Sequence, residues 1–228
     1  MNISNLPFPY QSFNPAKSAD ILLFEEKYKI NLTESYKEFL KQFNGLNLNW
    51  WHIDQQLDTN KNSYQTNKYG FTQTIYPFYE DLEKNRQWDW IYEVSRFFGI
   101  GNKDQYLDIA NINLEHLFWH PDLMPYAYPV ASDKGGNLLM QIAQGKNKGK
   151  LAMLDHEVAG PMVDWIKGIK SEETFKIPPN KVTADAFFED CFAYGGLTLY
   201  NITFQDFFNE LIAKHTKLYQ LMKSKYRK

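Results

Sequence analysis

The sequence predicts an α+β fold, with a central antiparallel sheet of about five or six strands flanked by N-terminal and C-terminal helices. Apolar residues recur at helical spacing near both ends of the chain, over 17–29, 33–43 and 203–222. Between these helices, short apolar runs are separated by turns rich in Gly, Asp and Lys. Because connections this short join antiparallel neighbours, the strands should form a meander.

The composition is that of one soluble globular domain covering residues 1–228. Hydrophobic residues make up 43 %, enough for a core without disulfides, and the single cysteine, Cys191, cannot form one within the chain. The net charge of −2 disfavours nucleic acid as a direct partner. The sequence contains neither a membrane-spanning apolar run nor a signal-peptide pattern, so we expect a cytoplasmic protein with no membrane partner.

The N-terminal part is predicted to be an extended, proline-containing arm over 1–15, followed by two helices. The first helix covers 17–29. We predict Thr33 as the N-cap of the second, which ends at Asn44 and Gly45, residues able to adopt the left-handed conformation. The apolar stripe of the second helix follows the spacing i, i+3, i+4 and i+7 and consists of Tyr36, Phe39, Leu40 and Phe43.

The strands of the sheet are predicted where apolar and polar residues alternate or where a short run of apolar residues occurs. The strands at 94–100 and 106–110 should pair through a turn at 101–104. Tight turns at 133–136 and 144–149 should connect the three strands that follow. Leu46, Leu48 and Trp50 alternate with polar residues as a further strand would. The predicted strands cover 94–100, 106–110, 128–131, 137–143 and 150–154.

Residues 157–200 are predicted to be an insertion that contains a helix at 183–192. The last helix is the clearest element of the sequence, because Thr203 and Asp206 have the spacing of a capping box. Its apolar face consists of Phe204, Phe207, Phe208, Leu211, Ile212, His215, Leu218 and Met222.

Candidate catalytic and metal-binding residues are few. His116 and His120 have an i, i+4 spacing but lack a third ligand, so we expect no metal site. His156 lies between two acids after a predicted strand, yet nothing adjacent provides a nucleophile. Cys191 falls on a predicted helix, where a buried small side chain is the usual role. With no phosphate-loop motif either, we expect no cofactor and no catalytic residues.

The segment 46–92 combines many aromatic rings with acidic residues. About half of these rings are expected to be core, and the others could anchor a protein or stack on a sugar. The acids would suit a protein partner with a basic surface. We predict partner contacts at Trp50, Trp51, Asp54, Asp58, Glu80, Asp81 and Glu83.

Four segments, 30–45, 129–139, 150–156 and 203–211, resemble in this order the motifs of one known family, the SUKH superfamily. Segment 30–45, INLTESYKEFLKQFNG, is similar to its opening helix, Leu-Pro-x-x-Tyr-x-x-Phe-Leu followed by Asn-Gly-Gly. Segment 129–139, PVASDKGGNLL, resembles its Gly-rich hairpin, and segment 150–156, KLAMLDH, the strand that follows. Segment 203–211, TFQDFFNEL, resembles its closing helix. Thr33 replaces the usual proline, Leu46 replaces a second glycine, and Asn137 stands where an acid is common.

The resemblance implies an α+β domain that acts by binding proteins without catalysis. Bacterial members are immunity proteins that neutralise a toxin domain, often a nuclease, and fungal members regulate cell-wall glucan synthesis. We therefore expect an immunity protein, with a regulatory scaffold of cell-wall synthesis as the alternative. A small hydrolase using His156, His116 and His120 is a remote third possibility.

Overall fold

The computed structural model describes residues 6–48, 94–102, 107–110, 123–133, 135–157, 183–194 and 196–226. Four helices and seven strands lie in these ranges. The helices are α1 (Ser18–Tyr28), α2 (Glu34–Gln42), α3 (Ala184–Tyr194) and α4 (Phe204–Tyr226). The strands are β1 (Gln11–Ser12), β2 (Leu46–Asn47), β3 (Arg96–Phe97), β4 (Ala127–Ser132), β5 (Leu138–Ile142), β6 (Lys150–Leu154) and β7 (Leu197–Thr203).

The strands form one sheet in the order β1-β2-β3-β4-β5-β6-β7, and every neighbouring pair is antiparallel. The predicted α+β class is confirmed, with seven strands rather than five or six. The two additional strands are β1, in the N-terminal arm, and β7, which lies mostly within the predicted insertion.

The predicted pairing of a strand at 94–100 with one at 106–110 is wrong. Strand β3 is two residues long and pairs with β2 and β4, whereas Asp108 makes only an isolated parallel bridge to Gly99. The Asp108 carboxylate accepts hydrogen bonds from the backbone N–H of Asn102 and of Ala110. These bonds fix the backbone beside Asp108 locally, and the described residues 107–110 do not form a strand.

The two N-terminal helices are confirmed, although Thr33 acts differently from the prediction. Thr33 occupies the N-cap position of α2 but makes no capping bond with its side chain. Its backbone N–H instead donates to the Tyr128 hydroxyl at 3.0 Å, which fixes the start of α2 against β4. The helix ends as predicted, with Asn44 at φ 43° and Gly45 at φ 104°.

Aromatic rings fill the core between the sheet and helices α2 and α4. The Phe97 ring of β3 lies 5.6 Å from Phe39 of α2 and 5.3 Å from Phe208 of α4. Strands β4 and β5 are buried along their whole length. The C-terminal helix begins as predicted, because the Asp206 N–H donates to the Thr203 hydroxyl.

The insertion prediction, 157–200, falls largely outside the described residues and stays a prediction. Within that range the structure describes α3, which agrees with the predicted helix at 183–192, and the start of β7. Strand β7 pairs with β6 along its length, from Leu197 opposite Leu154 to Thr203 opposite Lys150. Most of its side chains are exposed or half-buried, so it lacks the apolar pattern that would have revealed it.

Candidate functional site

The predicted contact residues lie outside the described residues, so their role stays a prediction. The same holds for the two histidines weighed as metal ligands, His116 and His120. The contact residues concerned are Trp50, Trp51, Asp54, Asp58, Glu80, Asp81 and Glu83.

The described residues do show where the chain enters and leaves this segment. Chain 49–93 follows Leu48 at the end of β2 and precedes Val94 before β3. The Leu48 N–H donates to the Ser95 carbonyl oxygen at 2.7 Å, and the Ser95 N–H donates to Ser132 at the end of β4. The segment therefore begins and ends at the end of the sheet where the β4–β5 hairpin turns.

Polar side chains collect at this end of the sheet. The β4–β5 turn contributes Asp133 and Asn137, and the residues after β6 contribute Asp155, His156 and Glu157. Antiparallel pairing brings them together, since Leu138, next to Asn137, lies opposite Leu154, next to Asp155. We call these five residues the polar end.

Asp133 closes the β4–β5 hairpin from the inside. One carboxylate oxygen, Oδ1, accepts from the N–H groups of Gly136 at 2.8 Å and Asn137 at 2.9 Å. The other, Oδ2, accepts from the Asn137 side-chain amide at 2.8 Å. The residue is only 6 % exposed, so these charge-assisted bonds replace the water that the carboxylate loses on folding.

Asn137 connects the hairpin to the chain after β6. Because its amide nitrogen donates to Asp133, its oxygen Oδ1 faces His156. This oxygen accepts from the His156 backbone N–H at 3.2 Å and lies 2.9 Å from the ring nitrogen Nδ1. An amide oxygen can only accept, so Nδ1 carries the hydrogen and the orientation of the imidazole is fixed. Asp133, Asn137 and His156 thus form a series of hydrogen-bonded side chains with fixed orientations.

The two remaining members are acids. Asp155 is half-buried, and its Oδ1 accepts from the Glu157 N–H at 2.9 Å. Glu157 is exposed. The polar end thus presents carboxylate and imidazole groups on a backbone held by hydrogen bonds, an arrangement suited to contacting a polar or basic surface.

The surroundings of Cys191 and His215 indicate a structural role for both side chains. Burial and the nearby Asp190 charge raise the pKa of the Cys191 thiol, which keeps it protonated and unreactive. His215 is fully buried in α4, and its ring lies 5.6 Å from that of Phe8.

Within the described ranges, no three His, Cys, Asp or Glu residues come together as metal ligands. None of the described helices has the length and apolar character needed to cross a bilayer.

The fold and these motifs agree with a comparison against protein families. Residues 15–160 match the model of the SMI1 / KNR4 family (SUKH-1). The chain belongs to this family. The SUKH-1 match covers well over half of the chain and includes α1, α2, strands β2 to β6 and the whole polar end. Members of SUKH-1 serve as immunity proteins or as regulators of glucan synthesis.

The SUKH-1 match ends before α3, β7 and α4. The resemblance of 203–211 to the closing helix of the superfamily therefore rests on its own motif. No curated protein and no solved structure matches the chain.

The residues of the polar end are recognisable in the sequence, but their contacts with one another are not. The sequence predicts a turn at 133–136 and places His156 between two acids after a predicted strand. The signal available was an aspartate four residues before an asparagine across two glycines. That pattern predicts a side chain closing its own turn, but it does not predict that the asparagine also binds the residue after β6.

Proposed function

We propose that this protein is a non-catalytic immunity protein that neutralises a toxin domain by direct contact. The observation that carries the proposal is membership in the SUKH-1 family across residues 15–160. A family role in immunity or in regulation requires a protein-binding surface rather than an active site, and the polar end offers candidate residues for such a surface.

The contact surface that we propose combines the polar end with the predicted contact residues of segment 49–93. Its support is chain topology, because that segment starts after Leu48 and ends before Val94, beside the β4–β5 turn. Binding residues commonly lie on long connections held by a rigid scaffold. The Asp133 and Asn137 hydrogen bonds supply such rigidity on the described side.

The partner that fits this surface is a toxin domain with a basic face, such as the substrate groove of a nuclease. Asp155 and Glu157 carry carboxylates at the same end of the sheet as the entry to the acidic segment. Negative charges gathered on one surface repel nucleic acid and attract a cationic groove. This attraction raises the rate and the specificity of association with the partner. Occupying that groove would exclude the toxin's own substrate.

A hydrolytic role for His156 is the remote alternative. Its Nδ1 hydrogen is directed at Asn137, an arrangement that in enzymes orients a catalytic base. Here the same bond also fastens the chain after β6, since the His156 backbone donates to the same oxygen. A structural role accounts for both contacts, which favours binding over catalysis.

The first test is to find the partner and then measure protection. The neighbouring reading frames and a pull-down of the tagged protein from its native host should yield a toxin domain. Co-expression of that domain with this protein should restore growth, and recovery of envelope-synthesis enzymes instead would favour the regulatory role.

A charge-reversal series then tests the contact surface. Changing Asp54, Glu80 and Asp81 to lysine should abolish protection, because each change replaces attraction by repulsion. The matched control reverses three exposed acids of α1 and α2, by Glu26→Lys, Glu34→Lys and Glu38→Lys, and should protect as the wild type does. Full protection by the first variant would exclude this surface.

A further inference from the structure

Beyond Leu218, the described side chains of helix α4 are exposed or half-buried. Helix α4 continues to Tyr226, but the last described residue that is buried on it is Leu218. At 1.5 Å per residue, about 12 Å of helix follows Leu218. Gln220, Leu221 and Lys223 in this part are all exposed.

This end of α4 is basic, although the chain as a whole is acidic. Residues 213–228 include six lysines and arginines and no acid. Glu210 pairs with Lys214 at 3.2 Å, whereas Lys217 and Lys223 lie near no carboxylate among the described residues. Lys223 instead lies over the Tyr219 ring, 5.4 Å from its centre. Among the described residues, no carboxylate therefore forms an ion pair with Lys217 or Lys223.

An exposed leucine lies among these cations. Leu221 is 42 % exposed and is one of only four large apolar side chains exposed in the described part of the chain. Cations alone would suit any polyanion, but a leucine gains nothing beside phosphates in water. A helix end that presents lysines together with an exposed leucine fits the interface of an anionic bilayer, where the lysines reach headgroups and the leucine enters the acyl boundary.

We propose that the C-terminal end of α4, through Lys217, Leu221 and Lys223, is a peripheral docking element for an anionic lipid surface. The sequence-based expectation of no membrane partner rested on the lack of a spanning segment, and peripheral binding needs none. This inference does not depend on the immunity role, because it concerns a different surface from the polar end.

Vesicle co-sedimentation of the full chain tests the proposal. The wild-type protein should bind vesicles of phosphatidylcholine with about 30 mol % phosphatidylglycerol but not pure phosphatidylcholine, and salt should weaken binding. Leu221→Ser with Lys223→Gln should lower the partition coefficient about tenfold or more, because a charge and an apolar anchor are lost together. Lys217→Gln alone should lower it about fivefold.

The chain offers a matched control in α1. Leu22 is also exposed, and Lys27 lies over the Tyr28 ring much as Lys223 lies over Tyr219. Leu22→Ser with Lys27→Gln should leave vesicle binding unchanged, and circular dichroism should show both double variants folded. Equal losses in the two variants, or no binding to anionic vesicles, would overturn the proposal. So would binding of a single-stranded RNA oligonucleotide in preference to the vesicles.

Discussion

The β4–β5 and β5–β6 turns of the central sheet are held by different polar contacts, which are buried at the first turn and exposed at the second. At the polar end, the β4–β5 turn is closed by the carboxylate of Asp133, which is buried and bonded within the hairpin. At the other end, the β5–β6 turn is fastened to α3 by exposed groups, with the Lys146 amine 2.6 Å from Glu189 and the Lys146 N–H bonded to Asp185.

Burial decides how much a polar interaction contributes to stability. Both turns contain short, well-directed contacts, and distance alone would rank them as equals. Water competes for the exposed pair and salt screens it, whereas a buried donor that loses its acceptor finds no replacement. We therefore expect substitutions of Asp133 and its partner Asn137 to lower stability, and truncation of Lys146 or Glu189 to leave it unchanged.

Removing the carboxylate of Asp133 should have the largest effect. Asp133→Ala leaves the N–H groups of Gly136 and Asn137 and the Asn137 amide without their acceptor. The expected loss in the free energy of unfolding is about 3 kcal/mol, measured by urea denaturation. A loss below about 1 kcal/mol would mean that water replaces the carboxylate and that Asp133 is not buried as described.

Placing a second acid at the polar end should give a pH-dependent loss. Asn137→Asp sets a carboxylate where the amide now donates to Asp133 at 2.8 Å, and the two charges repel. This repulsion raises the pKa of the new carboxyl above its unfolded value, so the variant is destabilised at neutral pH and recovers as the pH falls through that pKa.

We expect a deficit of about 2 kcal/mol at pH 7 that shrinks towards about pH 4, from urea denaturation at several pH values. The wild type measured in parallel is the control. A deficit that is constant with pH would show that lost hydrogen bonding, and not charge repulsion, is responsible.

A smaller loss should follow from substituting the glycine inside the same turn. Gly136 adopts φ +100°, and a Cβ atom there would also lie 3.8 Å from the His156 ring, which is ordinary contact. Backbone strain is therefore the main cost of Gly136→Ala, about 1 kcal/mol by urea denaturation. Gly135→Ala, one residue earlier and without a positive φ, is the control and should be near neutral.

The smallest effect should come from the exposed pair at the opposite turn. Lys146 and Glu189 are 58 % and 63 % exposed, so Lys146→Ala and Glu189→Ala should leave the urea midpoint unchanged within error. A double-mutant cycle with a clear coupling energy would contradict the comparison, because it would show that this ion pair resists water and salt.

Elements with a local signal could be predicted from the sequence alone. The stripe Tyr36, Phe39, Leu40 and Phe43 specified α2, and Thr203 with Asp206 specified the start of α4. The tight turns around Gly136 and Gly149 specified the strands β4, β5 and β6. Periodicity and turn chemistry depend only on residues that are close in the sequence, so the sequence is sufficient to predict these elements.

The remaining features depend on contacts between residues that are far apart in the sequence. Only the fold sets Arg96 and Phe97 between β2 and β4 instead of beside 106–110, and only the fold adds Leu197–Thr203 as the last strand. The bond from Asn137 to His156 joins residues 19 positions apart, which become neighbours because Leu138 pairs with Leu154. Such contacts depend on strand register across the whole sheet, and no local pattern in the sequence encodes that register.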